Sequence, residues 1–86
     1  MYKVIIERRV YKDLDNISSQ DLEKIYTAIL GLEIDPRGHG SKKLKDRSDR
    51  FRVRQGNYRI VYTINDVSKT VNVVLVRHRK DVYRNL

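Results

Sequence analysis

Three observations predict an α+β domain with the element order β-α-α-β-β-β. A short β-branched run over 2–6 opens the chain. Two stretches with apolar residues at helical spacing follow it. Three strand-like runs then lie between about 50 and 77, joined by turns short enough to keep neighbouring strands antiparallel. The two N-terminal helices are expected on one face of a four-stranded, mainly antiparallel sheet, within one domain spanning 1–86.

Each element has its own justification. Val10, Leu14 and Ile17 stand at i, i+4 and i+7, with charges between, which predicts a short amphipathic helix over about 8–16. Ser18 suits an N-cap, with Asp21 at N3 and Ile17 and Leu22 placed to form a hydrophobic staple. Leu22, Ile25, Tyr26 and Ile29 mark one helical face. That helix should end near Ile34, because Asp35-Pro36 disfavours its continuation. Residues 36–49, punctuated by Pro36, Gly38 and Gly40, read as a loop that Leu44 pins to the core. The first strand is far enough from the last ones to pair in parallel with one of them.

Residues 51–62 read as a β-hairpin closed by Gly56-Asn57, a pair suited to a two-residue turn with φ > 0. This turn sets Gln55 opposite Tyr58, Arg54 opposite Arg59 and Arg52 opposite Val61. Arg52, Arg54 and Arg59 then share one face, while Phe51, Val53, Tyr58, Ile60 and Tyr62 share the other. Directly opposed like charges cost roughly 0.2–1 kcal/mol, so this crowding implies an anion between them. Val71, Val73, Val74, Leu75 and Val76 suggest a central last strand over 69–77. With a four-residue loop over 65–68, Ile64 pairs with Lys69 and His78 ends the strand on the arginine face. A five-residue loop puts Arg77 there instead, and the sequence leaves this parity open. A short polar tail, with one helical turn around 81–83, follows.

The charge distribution points the same way. Formal net charge is +8, yet residues 1–36 carry five Lys/Arg against seven Asp/Glu, and residues 37–59 carry nine against two. A basic surface this asymmetric attracts polyanions, chiefly nucleic acid. The chain has no cysteine, so neither disulfides nor thiolate zinc sites brace it. No apolar run reaches signal-peptide or membrane-span length, and a cytoplasmic protein without a membrane partner is expected.

The candidate chemistry rests on Arg52, Arg54, Arg59, His78 and Tyr83. There is no acidic pair, no metal-ligand spacing and no glycine-rich phosphate loop, so neither metal nor cofactor is expected. His39, in its glycine-rich loop, reads as a bystander. Arginines bind a phosphodiester and stabilise the charge that grows on it. An imidazole moves protons near neutral pH, and RNA brings its own nucleophile in the 2′-OH. A metal-free ribonuclease needs no more in kind. Arg59 has a competing role as a salt-bridge partner of Asp46 or Asp49.

The residues that carry this reading also carry a family resemblance. Lys43-Leu44, the run over 51–62 and the ending over 76–83 form the pattern Y/F-R-x-R-x-G-x-Y-R-x-x-Y … H-R-x-x-V-Y. The chain resembles the RelE/ParE superfamily of toxins from bacterial and archaeal toxin–antitoxin systems, in its histidine-bearing, RelE-like subgroup. The resemblance implies a RelE-like fold and cleavage of messenger RNA on the ribosome, through 2′-OH attack that leaves a 2′,3′-cyclic phosphate. It implies Arg59, His78 and Tyr83 as catalytic, with Arg59 on the phosphate, His78 in proton transfer, and Tyr83 orienting RNA or helping with the proton. Arg52, Arg54, Lys43, Lys45, Arg77 and Arg79 are implied to bind RNA. A RelB-like antitoxin with an acidic segment is the implied partner, and operator DNA is reached only through that antitoxin. Some relatives have lysines where Arg52 and Arg54 stand, and others use a glutamate as base; no Glu follows Glu33. The alternative is a ParE-like inhibitor that binds DNA gyrase without cutting nucleic acid.

Overall fold

The structure, a computed structural model, describes residues 1–38, 40–44 and 49–80. In chain order these form β1 (Lys3–Ile6), α1 (Val10–Leu14), α2 (Ser19–Gly31), β2 (Ser41–Lys43), β3 (Arg50–Gln55), β4 (Tyr58–Asn65) and β5 (Thr70–His78). One sheet runs in the order β1-β5-β4-β3-β2, with β1 parallel to β5 and every other pair antiparallel. The sheet therefore has five strands, not the four expected. The extra one, β2, lies inside the stretch read as loop. Ser41-Lys42-Lys43 has no β-branched or aromatic residue to announce a strand; its pairing with Phe51, Arg52 and Val53 makes it one.

The helices follow their predicted faces. Ser18 Oγ accepts the Asp21 N–H at 3.2 Å, which starts α2 where expected. The helix stops at Gly31, and the chain then unwinds through i→i+3 bonds, Leu32 to Ile29, Glu33 to Leu30 and Ile34 to Gly31. Its α1 neighbour is shorter than the expected 8–16. Arg9 sits at its N-cap and offers no side-chain cap. Val10, Leu14 and Ile17 nonetheless join Ile25, Ile29 and Leu32 against Ile60, Tyr62, Val71, Val73 and Val76. This is the main core, on one sheet face. Buried Tyr62 donates its hydroxyl proton to the Pro36 carbonyl at 2.6 Å and stacks on Phe51 at 6.1 Å. Burial pushes its phenol above the ordinary value.

The central hairpin has the predicted register, from Gln55↔Tyr58 to Arg50↔Thr63. Gly56 has φ +60° and Asn57 does not have positive φ, so the turn is of the kind with a left-handed first residue. The β4–β5 connection departs from expectation twice. It begins one residue later, so Asn65 pairs with Thr70. The Asn65 side chain accepts the N–H groups of Val67 and Ser68, each at 3.0 Å, and Lys69 closes the turn at φ +54°. Then a β-bulge intervenes: Tyr62 pairs with Val73 but Val61 pairs with Leu75, which leaves Val74 as the extra residue. Beyond it the parity is reversed.

On the uncovered face Val61, Val74 and Leu75 make a second small cluster under Leu44. So Leu44 pins its segment to the sheet, but to the face away from the helices. At the far end of the sheet, Arg37 forks onto Asp66 at 3.0 and 2.9 Å, and the Tyr2 hydroxyl donates to the same carboxylate at 2.7 Å. Among the described residues no helix is long and apolar enough to cross a membrane.

Candidate functional site

The uncovered sheet face gathers the arginines in a row. Arg54 on β3 is paired with Arg59 on β4, and Arg59 is paired with Arg77 on β5. Paired residues project from the same side, and adjacent strands lie about 4.8 Å apart, so three guanidinium-bearing side chains arise from a span of two strand spacings. The next row is Lys42, Arg52, Val61 and Leu75. Arg59 sits at the centre and is only 6% exposed, whereas Arg54 is exposed and Arg52 half-buried. Such a row is a ready clamp for an oxyanion, because fixed cationic donors in a partly dry setting need no reorganisation.

The bulge decides which residue of β5 enters that row. A four-residue connection by itself puts His78 on the arginine face, one of the two outcomes the sequence left open; instead His78 pairs with Tyr58 and lies on the opposite side. The cause is the extra residue at Val74, which turns every later side chain over. Arg77 takes the place beside Arg59. The apolar run over 73–76 hid this, because alternation is invisible where every residue is apolar.

His78 is nevertheless close in the chain to the row and has its own setting. Its ring meets Tyr58 edge to face, with centroids 5.4 Å apart, and its Nδ1 accepts the Lys80 N–H at 3.3 Å. That bond leaves Nε2 as the ring atom available to a ligand. His78, Tyr58 and Arg77 line a cleft of about 340 Å³ together with Lys12, Asp13 and Asn16 of α1 and its C-terminal turn. Arg77 belongs to both places: its backbone is in the arginine row and its side chain borders the cleft. Asp13 holds it there. One Asp13 oxygen ion-pairs with Arg77, and the other accepts the Val76 N–H at 3.2 Å. Neither Asp13 nor Lys42 stood out in the sequence. Asp13 looked like one more charge on the outer face of a helix.

The remaining predicted positions divide as follows. Lys43 pairs with Phe51 and so projects from the face opposite Arg52. Arg79 is exposed, and its N–H donates to the Asn57 carbonyl at 2.7 Å, tying the end of β5 to the hairpin turn. Lys45, Tyr83, the bystander His39 and the helical turn expected around 81–83 lie outside the described residues.

A two-helix layer on one side of a five-stranded sheet is a fold this chain shares with solved RelE-type toxins. The crystal structure of the toxin–antitoxin complex RelBE2 from Mycobacterium tuberculosis matches at TM-score 0.81, with 28% identity over 91% of this chain and 98% of that one. The archaeal RelE–RelB complex from Pyrococcus horikoshii matches at 0.79, with 25% identity over 91% and 94%. In sequence, the toxin RelG of M. tuberculosis is 30% identical over 84 residues, covering 96% of this chain and 97% of the relative. The model for the family described as ParE toxin of type II toxin–antitoxin system, parDE, matches residues 4–83, and the chain belongs to that family.

Proposed function

We propose that this toxin is a metal-free endoribonuclease that cuts ribosome-bound messenger RNA. The observation that carries the reading is the Arg54–Arg59–Arg77 row across three neighbouring strands. The 2′-OH of the RNA attacks the adjacent phosphorus, the bond to the 5′-oxygen breaks, and a 2′,3′-cyclic phosphate and a 5′-OH result. Negative charge grows on the non-bridging oxygens, where the Arg59 guanidinium stabilises it with Arg54 beside it, while the Arg77 side chain is held toward the neighbouring cleft by Asp13. Arg52 and Lys42 bind the backbone one row further on. Arginine stays charged and is a poor proton acceptor. His78, across the end of β5, and Tyr83 are the groups assigned to proton transfer to and from the 2′-OH and the leaving oxygen.

A second reading has a specific observation behind it. The matched family bears the ParE name, and His78 is turned off the arginine face; both favour a toxin that binds gyrase without cutting RNA. A translation extract separates the two. Primer extension on the translated message is expected to show breaks within ribosome-occupied codons. Intact message together with loss of gyrase supercoiling overturns the nuclease reading.

The relatives solved as toxin–antitoxin complexes support a cognate antitoxin here too, with an acidic segment laid over the cationic face. Operator DNA is then contacted through that antitoxin. Ribosome-bound message places the action in the cytoplasm.

A further inference from the structure

The cleft between α1 and the end of β5 holds more hydrogen-bond donors than its own residues satisfy. Arg77 brings most of them. Its Nη1 is engaged by Asp13 and by the Val76 carbonyl at 3.4 Å. Among the described residues no hydrogen bond engages its Nε or Nη2, and neither atom is sealed from solvent. Those two atoms form the edge with which a guanidinium forks an oxyanion. His78 adds a donor, because its Nδ1 accepts the Lys80 N–H and the proton of the neutral ring therefore lies on Nε2. Exposed Lys12 and Asn16 bring an ammonium and an amide from the α1 side. The carboxylate of the same cleft, Asp13, already has both oxygens occupied, by Arg77 and by the Val76 N–H. Ile17 and Val76 floor the cleft, whose 340 Å³ admits a phosphate with its sugar.

Position decides what such an anion belongs to. β1 pairs with β5 only as far as Val73, so the last residues of β5 form an open sheet edge beside α1. The arginine row and the cleft lie on either side of this part of β5, and Arg77 is common to both, with its backbone paired to Arg59 and its side chain bordering the cleft. RNA with one phosphate on Arg59 crosses that edge and brings its next phosphate to the cleft. We propose that the cleft is a second phosphate site, which holds the phosphodiester next to the scissile one through the Nε–Nη2 edge of Arg77, Lys12 and Asn16. The inference rests on the ribonuclease reading and gives α1 a part in holding the substrate. Asp13 is then a positioning residue, since it fixes the Arg77 guanidinium at this site. Phosphate contacts set the register of a strand and carry no base preference, so the site aligns RNA of any sequence.

The test is fluorescence anisotropy on the full chain over a salt series, with a labelled uridine hexamer whose 2′-O-methyl groups block cleavage. Lys12→Gln is expected to weaken binding about fivefold at low salt and to reduce the salt slope by about 0.7, the part that one phosphate of a single strand contributes. Lys12→Arg should restore both. Lys3→Gln removes the same charge at the far end of the sheet, where Lys3 pairs with Thr70, and should change neither. The Tm should hold in all three, because both lysines are exposed. The matching dinucleotide has a single phosphate, which the arginine row takes, so it should lose affinity on Arg54→Gln and not on Lys12→Gln. A hexamer weakened by Arg54→Gln, but no more by Lys12→Gln than by Lys3→Gln, overturns the second site while the ribonuclease reading stands. A hexamer weakened by Lys12→Gln alone supports the cleft and removes the arginine row. Labelled hexaglutamate that loses affinity on Lys12→Gln while the hexamer does not assigns the cleft to an acidic protein segment and overturns the proposal. Failure of the wild type to bind the hexamer overturns both readings.

Discussion

Arg59 is the residue on which the site turns, because it is buried in the middle of the row while its neighbours are more open. Removing one fixed donor from an oxyanion site typically costs about 10²–10³ in rate. Arg59→Ala is expected to lower message cleavage by that order and to abolish toxicity, with the fold and antitoxin binding retained; primer extension and circular dichroism check the two halves. Arg77→Ala should cost less than Arg59→Ala, because Asp13 already neutralises the Arg77 guanidinium although the register makes it the partner of Arg59. His78→Ala should also remove toxicity, but through proton transfer, so His78→Gln is expected to slow single-turnover cleavage while RNA affinity holds. If both His78 variants cleave at the wild-type rate, the imidazole has no part in the chemistry. At this scale the sequence revealed the hairpin arginines directly, since two-residue alternation around Gly56 sets their side. The side taken by Arg77 was left open, because it depended on one unpaired valine inside a uniformly apolar run.

Among the elements, α1 is five residues long and yet carries the anchor for the end of β5. Beyond Val73 that strand has no β1 partner, and the Asp13 carboxylate takes the Val76 N–H in place of a neighbouring carbonyl. Asp13→Ala therefore leaves a half-buried donor unsatisfied and frees Arg77. A loss of about 1–3 kcal/mol in urea unfolding is expected. Asp13→Asn keeps an acceptor for Val76 and should recover most of the stability while leaving Arg77 less firmly placed. No stability difference between wild type and Asp13→Ala would remove the anchor from this account. The hairpin turn offers a cleaner backbone test. A Cβ on Gly56 meets nothing within 4 Å, so Gly56→Ala is opposed only by its φ of +60° and should cost about 1 kcal/mol. Helix faces, the Ser18 cap and the hairpin were legible because each is a local rule. The β2 strand was not, since its residues lack strand preference and take that form from β3.

The whole molecule divides its charge between two ends of the sheet. At one end like charges are crowded together. At the other, Asp66 is satisfied by Arg37 and Tyr2, and those hydrogen bonds, with the Arg37 charge, lower its carboxyl pKa to about 2. A folded pKa below the unfolded value of about 3.9 means that the contribution is complete above pH ~4 and is lost as pH falls through about 2. Asp66 is exposed, so the effect is small and salt-sensitive. Acid unfolding of Asp66→Asn should run parallel to and below wild type above pH ~4, and the two curves should converge near pH 2. A constant gap down to pH 2 would exclude the clasp as its source.

The parallel pairing of β1 with β5 has a consequence for the order in which the chain assembles. Lys3 meets Thr70, 67 positions away, whereas β3, β4 and β5 are joined by a two-residue and a four-residue connection. Short loops close first and distant ones last. The mutually repelling arginines are thus expected to gather early, on a meander still lacking its first strand. Substitutions in β4, such as Ile60→Val, should slow folding, whereas Val4→Ala in β1 should mainly speed unfolding, a contrast that stopped-flow kinetics can read.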